Sequence, residues 1–433
     1  MSIKTRRILF YFLTGFFVVA GTLVILYSRG IRFDPENLDF VKTGGIYVSS
    51  QPNRASIFLD GEEQRNKSGL LQRGTLLTNL IPDTYEIAIR QDGYRDWRKN
   101  VEVKPGEVAV FDTVVLPADI APGAIKYGQF DNFGAAPGYL ALEGGGGVTL
   151  NGAEVFGHHI IALTESGSLL TQSKNTGNYY LTNEFNAENG LNLTLIFNNL
   201  KEDRLGLPGF VQLREAAFIP DSERQFYVAT ENALYFLDTA NLDLQLITSD
   251  YDAADYQSDG TLVWTTNDSL YRFNPVLRNQ AEPLSLAEAN LANKHFIRIQ
   301  RNNGGWLLLD ADGNLTYLER ESRLIAENVS DFSVDPDGKR IAVLDNLQNL
   351  WVQDLNTGEQ FTGLGQGVSQ FFWYEDSAHL VVLEQNDVYF RDISMGAPVS
   401  SHRLADNVLR CTYNTAEKEI VFLNHDGVWS TRL

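Results

Sequence analysis

The sequence predicts an all-β protein with an N-terminal transmembrane helix, a small antiparallel β-sandwich and a β-propeller of about seven blades, with eight as the alternative. Three observations support this prediction. The first 32 residues contain a long uncharged apolar run, residues 44–117 form short alternating strands, and a three-strand pattern then recurs about every 39 residues. Since domains usually have roughly 100–200 residues, a chain of 433 residues suits an anchor followed by two domains.

The charge of the chain is unevenly distributed. Lys and Arg number 35 against 55 Asp and Glu, for a formal net charge of −20, yet residues 1–32 contain five cations and no acid. The acidic remainder would repel phosphate backbones, so we expect no nucleic-acid partner. The whole chain has 43 % hydrophobic and 11 % aromatic residues, which is enough apolar surface to fold. The single cysteine, Cys411, excludes an intramolecular disulfide and a multi-thiolate zinc site.

The apolar run extends from Ile8 to Tyr27 without a charge. At about 1.5 Å per residue, a helix of this length crosses the hydrocarbon core of a bilayer. A cleaved signal peptide has a shorter apolar region of about 7–15 residues and a small-residue cleavage site, so we expect a retained anchor instead. Three cations, Lys4, Arg6 and Arg7, precede the run. The positive-inside rule therefore predicts a single-pass protein of the cell membrane, with a cytoplasmic N-terminus and an ectodomain outside.

Four segments follow from these patterns. We expect a cytoplasmic tip and transmembrane helix over 1–28, a linker over 29–43, a sandwich over 44–117 and a propeller over 118–433. The sandwich rests on five short runs rich in Ile, Val, Tyr and Phe, separated by turn residues such as Asp-Gly and Pro-Gly. These runs are GGIYVSS (44–50), ASIFLDG (55–61), TYEIAIRQ (84–91), KNVEVK (99–104) and VAVFDTVVL (108–116).

The order of motifs in this segment resembles the PEGA domain. The turn that leads into a strand ending in Asp-Gly corresponds to SSQPNRASIFLDGEE (49–63). The Tyr and Gly-Tyr-x-x-Trp elements of the family correspond to TYEIAIRQDGYRDW (84–97), and its closing strand corresponds to VEVKPGE (101–107). The resemblance implies a noncatalytic sandwich of cell-surface proteins that contacts the envelope. Because large aromatics dominate small cores, we expect Trp97 to be a packed core residue.

Beyond residue 118, strands recur with an aliphatic–aromatic pair in the third strand of each unit. The aliphatic members of these pairs are Leu234, Leu270, Leu350, Val388 and Val428. Leu315 is displaced by one residue from its aromatic partner Tyr317, and an earlier copy places Leu169 at the equivalent point. A period of this length built only from strands indicates four-stranded propeller blades. The pattern resembles WD40-like and TolB-like propellers at the level of the fold. It gives seven blades, or eight if residues 124–211 contain a second copy.

Two further expectations concern this repeat region. The last repeat contains three strands, and a propeller must join its first and last blades to avoid a free sheet edge. We therefore expect a strand near Ala124–Phe130 to complete the last blade. The segment 191–205 has apolar residues at helical spacing, which predicts a helix inserted between two repeats.

Motifs that carry chemistry are scarce. The sequence contains no HExxH pattern and no GxSxG elbow. The adjacent His158 and His159 suit a strand entry better than a metal site, because neighbouring strand residues point to opposite faces. His379 is expected to face solvent, since Arg340 occupies the equivalent repeat position. Cys411 is expected to be a small buried hydrophobe.

Glycine and aspartate clusters are expected to form turns. Gly144–Gly147 lacks the Lys-Ser/Thr of a phosphate loop, and the Asp-rich segments 310–314 and 335–338 fall where hairpin turns are due. We accordingly assign no catalytic, metal-binding or cofactor-binding residue, and no cofactor.

These observations favour a membrane-anchored extracytoplasmic binding or scaffold protein that is not an enzyme. Its expected partners are the membrane, through the N-terminal helix, and a protein or glycan of the cell envelope, through the propeller. Two alternatives stay open. One is a propeller enzyme such as a glycosidase with carboxylates in its channel, and the other is a structural component of a cell-surface layer.

Overall fold

A computed structural model describes residues 3–34, 39–68, 73–182, 190–302, 304–394, 400–415 and 417–433. The chain begins with helix α1 (Ile3–Ser28), in which Leu9–Ser28 is long and apolar enough to cross a membrane and is not buried by the rest of the protein. A signal sequence shares these features. Strands β1 (Ile31–Asp34) and β2 (Asp39–Lys42) then form an antiparallel hairpin. The segment predicted as a linker therefore contains regular structure.

The sandwich consists of two sheets, in the orders β6-β3-β9 and β5-β4-β7-β8. Its strands are β3 (Gly44–Gln51), β4 (Ser56–Leu59), β5 (Glu62–Gln64), β6 (Thr75–Leu80), β7 (Thr84–Arg90), β8 (Trp97–Glu102) and β9 (Val108–Val115). All five predicted strands are present, and β5 and β6 are additional. The sandwich is not wholly antiparallel as predicted, because β9 pairs parallel to β3. Between β3 and β9 the chain forms β4 and β5 of the second sheet, returns to the first sheet as β6, antiparallel to β3, and then forms β7 and β8 of the second sheet.

Eight further sheets follow in the described residues, each with four strands except one with five. The first three consist of β11 (Asn132–Ala136), β12 (Tyr139–Gly144), β13 (Gly147–Leu150) and β14 (Ala153–Val155); β15 (His159–Leu163), β16 (Leu169–Gln172), β17 (Tyr179–Thr182) and β18 (Leu191–Asn192); and β19 (Glu215–Phe218), β20 (Gln225–Ala229), β21 (Leu234–Asp238) and β22 (Asp243–Thr248).

The next two sheets comprise β23 (Ala253–Tyr256), β24 (Leu262–Thr265), β25 (Ser269–Asn274), β26 (Asn279–Gln280) and β27 (Leu284–Ser285); and β28 (Phe296–Arg301), β29 (Trp306–Asp310), β30 (Leu315–Leu318) and β31 (Ser322–Ala326). The last three comprise β32 (Val329–Val334), β33 (Arg340–Asp345), β34 (Asn349–Asp354) and β35 (Gln360–Gln366); β36 (Val368–Trp373), β37 (His379–Glu384), β38 (Asp387–Asp392) and β39 (Ser400–Ala405); and β40 (Val408–Asn414), β41 (Glu419–Asn424) and β42 (Gly427–Arg432) with β10 (Gly123–Tyr127).

Hydrophobic contacts arrange these sheets in a ring, as in a β-propeller. Each sheet packs its apolar side chains against the next, from β11–β14 round to β36–β39 and then to β40–β42. The ring closes where Val421 and Leu423 of the last sheet pack with Phe133 and Leu142 of the first. The described residues contain eight such sheets, against a prediction of about seven blades with eight as the alternative.

The repeat pattern missed the β11–β14 sheet, and it placed Leu169 in a third strand although Leu169 lies in β16, the second strand of its sheet. The strands of the β11–β14 sheet contain the small residues Gly134, Ala135 and Ala136, and its third strand, β13, has no aliphatic–aromatic pair. Small residues suffice there because Gly134 lies against Ile160 and Leu163 of the next sheet. The apolar periodicity that identifies the other sheets is therefore weak in this one.

Strand β10 completes the last sheet, as the closure argument predicts. It pairs antiparallel with β42, with Ala124 opposite Trp429 and Tyr127 opposite Gly427. All five residues of β10 are exposed, so backbone pairing contributes more than side-chain burial to its attachment. The edge of β42 is thereby covered, and the ring is joined through hydrogen bonds as well as apolar contacts.

The predicted helix is also present, as α2 (Leu193–Leu205). The side chain of Asn192 accepts a hydrogen bond from the Leu195 N–H at 3.0 Å, which caps the N-terminus of the helix, and Gly206 ends it with a positive φ of 64°. Phe197 and Leu200 pack into the core shared by the β15–β18 and β19–β22 sheets. The helix thus fills the space between two blades.

The closure strand leads to a first prediction. At Gly427, with φ +148°, an added Cβ would lie 2.1 Å from the carbonyl oxygen of Lys126 in β10. We expect Gly427→Ala to push β10 away from β42 and to lower the free energy of unfolding by about 1–3 kcal/mol, measured by urea denaturation. Gly123→Ala in the same strand pair is the control, because no atom lies within 4 Å of its added Cβ. Equal losses for the two variants would contradict the role assigned to Gly427.

Candidate functional site: the inner strands, a cavity between turns, and the junction with the sandwich

The first strand of each sheet lies at the centre of the ring. First strands of neighbouring sheets contact each other, as β23 does with β28, β11 with β15 and β36 with β40. The inner edge of each first strand has no neighbouring strand to pair with in its own sheet. Its backbone groups therefore need other partners, since unpaired polar groups are costly when they are withdrawn from water.

Side chains from the preceding sheet supply several of these partners. The Oδ2 atom of Asp255 accepts a hydrogen bond from the Ile299 N–H at 3.2 Å. Gln257 accepts from the Arg301 N–H at 2.7 Å and donates to the Ile299 carbonyl at 3.0 Å. Gln370 accepts from the Cys411 N–H at 2.9 Å. Polar residues of the inner strands thus join consecutive blades.

Two carboxylates and a tyrosine meet on the inner strands β19 and β23. The Tyr256 hydroxyl donates to Glu215 Oε1 at 3.0 Å. Burial raises the pKa of Asp255 and outweighs the lowering effects of the Ile299 N–H and Arg298, while Glu215 adds a further rise. The guanidinium of Arg298 also pairs with Asp331 of the next sheet. This cluster links inner strands of consecutive sheets through carboxylates, a hydroxyl and a guanidinium.

A cavity of about 480 Å³ opens beside this cluster. Its walls are the turns between the first and second strands of three consecutive sheets, and the residues lining it include Ser258, Asp259, Arg301, Asn302 and Asp335. Amide, hydroxyl, carboxylate and guanidinium groups can all exchange hydrogen bonds with a polar ligand. Loops converging from several blades form the kind of surface at which propellers bind partners.

His159, the glycines at 144–147 and Cys411 lie where the sequence predicts them. His159 lies at the start of β15, exposed, with its Nδ1 atom 2.8 Å from Glu143 Oε1. Glycines 144–147 form the hairpin turn between β12 and β13, in which Gly145 and Gly146 have positive φ values. Cys411 is buried between the last two sheets, and this burial raises the pKa of its thiol to about 12.

The prediction for His379 is wrong. Its side chain is fully buried, stacked on Phe390 with 4.9 Å between ring centroids, and its Nδ1 atom lies 2.9 Å from Asp376. Arg340, at the equivalent repeat position, is only partly buried and donates to the Ser377 carbonyl at 2.8 Å. Repeat alignment located the position, but the nearby aromatic residues decided the burial.

Aspartates in the predicted turns bind their own backbone. Asp310 Oδ1 accepts from the N–H groups of Asp312 at 3.1 Å and Asn314 at 2.8 Å. Asp335 Oδ1 accepts from the N–H groups of Lys339 at 2.7 Å and Arg340 at 2.9 Å. Both carboxylates therefore stabilise hairpin turns, as the sequence predicts.

The junction between the sandwich and the ring was not predicted. Trp97 is fully buried in the sandwich core and contacts Phe111, as expected, but its indole N–H also donates to Asp392 in the ring. The Lys99 ammonium lies 3.4 Å from Asp392 Oδ1 and donates to the Ser394 carbonyl at 2.6 Å. Both side chains of this ion pair are almost completely buried.

The charges at this junction stabilise each other. Burial alone would raise the pKa of Asp392, but the neighbouring His379 and Lys99 lower it overall. Burial lowers the pKa of Lys99, against the opposing effect of Asp392. A signal in the sequence pointed to this pair: Trp97, Lys99 and Val101 occupy the inward positions of β8, so a lysine stands where a core residue is expected. Such a lysine requires an acidic partner.

The small sandwich can now be assigned. Residues 43–117 match the family model of the PEGA domain. The match covers both sheets of the sandwich, including β8, which carries Trp97 and Lys99. No curated protein sequence matches the chain.

Solved structures that resemble the chain include β-propellers of low sequence identity. They include PorZ of Porphyromonas gingivalis, described as an essential bacterial surface component of the type-IX secretion system, with 12 % identity and a TM-score of 0.39 over 69 % of this chain. The chain spans only 42 % of PorZ. The Cps50 (Swd1) propeller domain of Myceliophteria thermophila has 13 % identity and a TM-score of 0.40, and the match covers 61 % of this chain and 95 % of that domain. Sqt1 of Saccharomyces cerevisiae has 12 % identity and a TM-score of 0.49, and the match covers 72 % of this chain and 98 % of Sqt1.

The buried ion pair leads to a second prediction. Asp392→Ala removes the carboxylate opposite Lys99 and the acceptor of the Trp97 indole, so we expect the free energy of unfolding to fall by about 3–5 kcal/mol. The control is Asp387→Ala, which breaks the more exposed pair with Arg403 at 3.3 Å and should cost about 1 kcal/mol or less. Urea denaturation of the purified protein measures both. Similar costs for the two variants would show that the junction does not depend on this pair.

The raised pKa of Asp255 leads to a third prediction. In the folded protein its carboxylate is destabilised at neutral pH. This penalty shrinks once the pH falls below the raised pKa and is gone below the ordinary pKa of an unfolded aspartate. Asp255→Asn keeps a hydrogen-bond acceptor for Ile299 and removes the charge. We therefore expect a higher urea midpoint than the wild type at pH 7, with a difference that shrinks on acidification. Asp259→Asn, at an exposed turn, is the control, and a pH-independent difference for Asp255→Asn would contradict the assignment.

Proposed function

We propose that this protein is a single-pass, membrane-anchored binding or scaffold protein of the cell envelope. In this proposal α1 holds the chain in the membrane, the PEGA domain contacts the envelope, and the propeller recognises a protein or glycan partner. The observation that carries the proposal is the cavity at the first turns of three consecutive blades, which presents polar groups on a rigid ring. The presence of a PEGA domain, a propeller and an apolar N-terminal helix in one chain supports a role at the surface.

The junction supports the scaffold part of the proposal. The buried contacts of Trp97 and Lys99 with Asp392 attach the PEGA domain to the β36–β39 blade. The cavity involves the sheets that begin with β23, β28 and β32. The PEGA domain also approaches the last of these sheets, because Arg340 of β33 and Val101 and Phe111 of the PEGA domain line one second cavity.

The cavity lining favours partners rich in hydroxyl or amide groups. Gln257, Gln300 and Asn302 carry side-chain amides, which both donate and accept hydrogen bonds. Asp259 and Arg301 add opposite charges, with 3.9 Å between their nearest oxygen and nitrogen atoms. Glycans and extended peptide segments present matching groups.

The binding proposal is tested by cross-linking intact cells that produce the tagged full-length protein and identifying the attached molecules. Ser258 is exposed in the wall of the cavity, so Ser258→Trp should block the cavity and abolish partner recovery. Ser166→Trp is the matched control, because Ser166 is exposed in the equivalent turn of the β15–β18 sheet. A partner recovered equally with both variants would contradict the proposed site. Recovery of this chain alone would favour a surface-layer subunit.

A glycosidase is the second candidate, favoured by the carboxylates of Glu215 and Asp255 on either side of Tyr256. Glycoside hydrolysis uses a pair of carboxyl groups in different environments, one of them with a raised pKa. This candidate requires that the purified protein hydrolyse an envelope glycan and that Glu215→Gln and Asp255→Asn each abolish the activity. Hydrolysis that persists in both variants would exclude these carboxylates as catalytic groups.

A further inference from the structure

The β1–β2 hairpin lies between helix α1 and the first strand of the PEGA domain, β3, and its two ends are close together. Gly30 precedes the hairpin and Thr43 follows it, and the two residues are joined by hydrogen bonds. The N–H and hydroxyl of Thr43 donate to the Gly30 carbonyl at 2.7 and 2.8 Å. Thr43 then leads directly into β3. Because the chain returns to the point it left, the hairpin is not needed as a spacer.

The hairpin exposes apolar aromatic surface. Phe33 and Phe40 lie opposite each other in the two strands, with their ring centroids 5.4 Å apart, and are 50 % and 53 % exposed. Tyr27, in the last turn of α1, is 60 % exposed, and the Arg32 guanidinium lies 5.3 Å from its ring centroid. An isolated two-stranded hairpin is only marginally stable in water, so these rings require a covering partner.

The position of the hairpin identifies that partner. Only Arg29 and Gly30 separate the end of α1 at Ser28 from β1. Two residues extend at most about 7 Å, whereas the headgroup layer on each side of the hydrocarbon core is roughly 5–8 Å thick. If Leu9–Ser28 crosses the membrane, the hairpin therefore begins inside the headgroup layer. Aromatic and cationic side chains are typical of this layer.

The geometry points to the β1–β2 hairpin as an interfacial membrane-binding element, with Phe33 and Phe40 inserted among the lipids of the outer leaflet. The occupant of this aromatic face is the phospholipid bilayer. The inference rests on the proposed anchoring by α1 and extends it. Together with the Gly30–Thr43 hydrogen bonds, insertion would hold the PEGA domain at a fixed height above the membrane.

Tryptophan fluorescence in vesicles tests the inference. All six native tryptophans lie at or beyond Trp97, so Phe40→Trp adds a reporter in a region without one. The full-length variant is reconstituted in phosphatidylcholine vesicles with and without bromine atoms on the acyl chains. We expect brominated lipid to quench a larger fraction of the emission than in the wild type, and Phe33→Trp to behave in the same way.

The control is Val276→Trp, at a position 87 % exposed in the turn after β25, where the added emission should not be quenched. Washing the vesicles with alkaline carbonate tests the anchoring by α1 separately from the insertion of the hairpin, because the wash removes proteins that do not span the bilayer. If the protein stays in the vesicles and neither Phe40→Trp nor Phe33→Trp is quenched more than Val276→Trp, the hairpin inference is overturned while the anchor stands. If the wash releases the protein, both are overturned.

Discussion

The ring depends on leaving no sheet edge open between its first and last blades. Strands β40–β42 belong to one end of the repeat region, and β10 reaches them from the other end to pair with β42. Without β10, the backbone groups of β42 would be exposed beside a ring held there mainly by the apolar contacts of Phe133 with Leu423 and Val428. The pairing makes the ring continuous, and a continuous ring keeps the turns of neighbouring blades at fixed separations.

The same need for paired backbone groups accounts for the polar character of the ring's centre. Asp255, Gln257 and Gln370 use their side chains to satisfy N–H groups of the next inner strand. Carboxylates and amides are therefore present near the axis for structural reasons. The environment of Asp255 raises its pKa, and the same residue also serves as a hydrogen-bond acceptor between blades.

The attachment of the PEGA domain follows a different principle. Lys99 is a charge at a core position of β8, and it contacts Asp392 and Ser394 of the ring. A buried ion pair contributes little net stability compared with apolar packing, but losing either partner is costly, so it specifies where the two domains meet. At the other end of the PEGA domain, the bonds between Gly30 and Thr43 hold it next to α1. Hydrogen bonds thus fix the PEGA domain beside α1, and a buried ion pair fixes it beside the ring.

The sequence by itself determined the class of fold, the apolar helix, the PEGA strands, helix α2 and the closing strand, because each depends on local periodicity or on the need to cover a sheet edge. The sequence did not reveal the β11–β14 blade, because its small residues show little apolar periodicity. It also did not reveal that His379 is buried, because the ring that covers it, Phe390, belongs to the neighbouring strand β38. Only the tertiary structure decided the pairing of Lys99 with Asp392 and the meeting of Glu215, Tyr256 and Asp255. These residues are brought together by the packing of separate sheets, and no local spacing in the sequence encodes that distance.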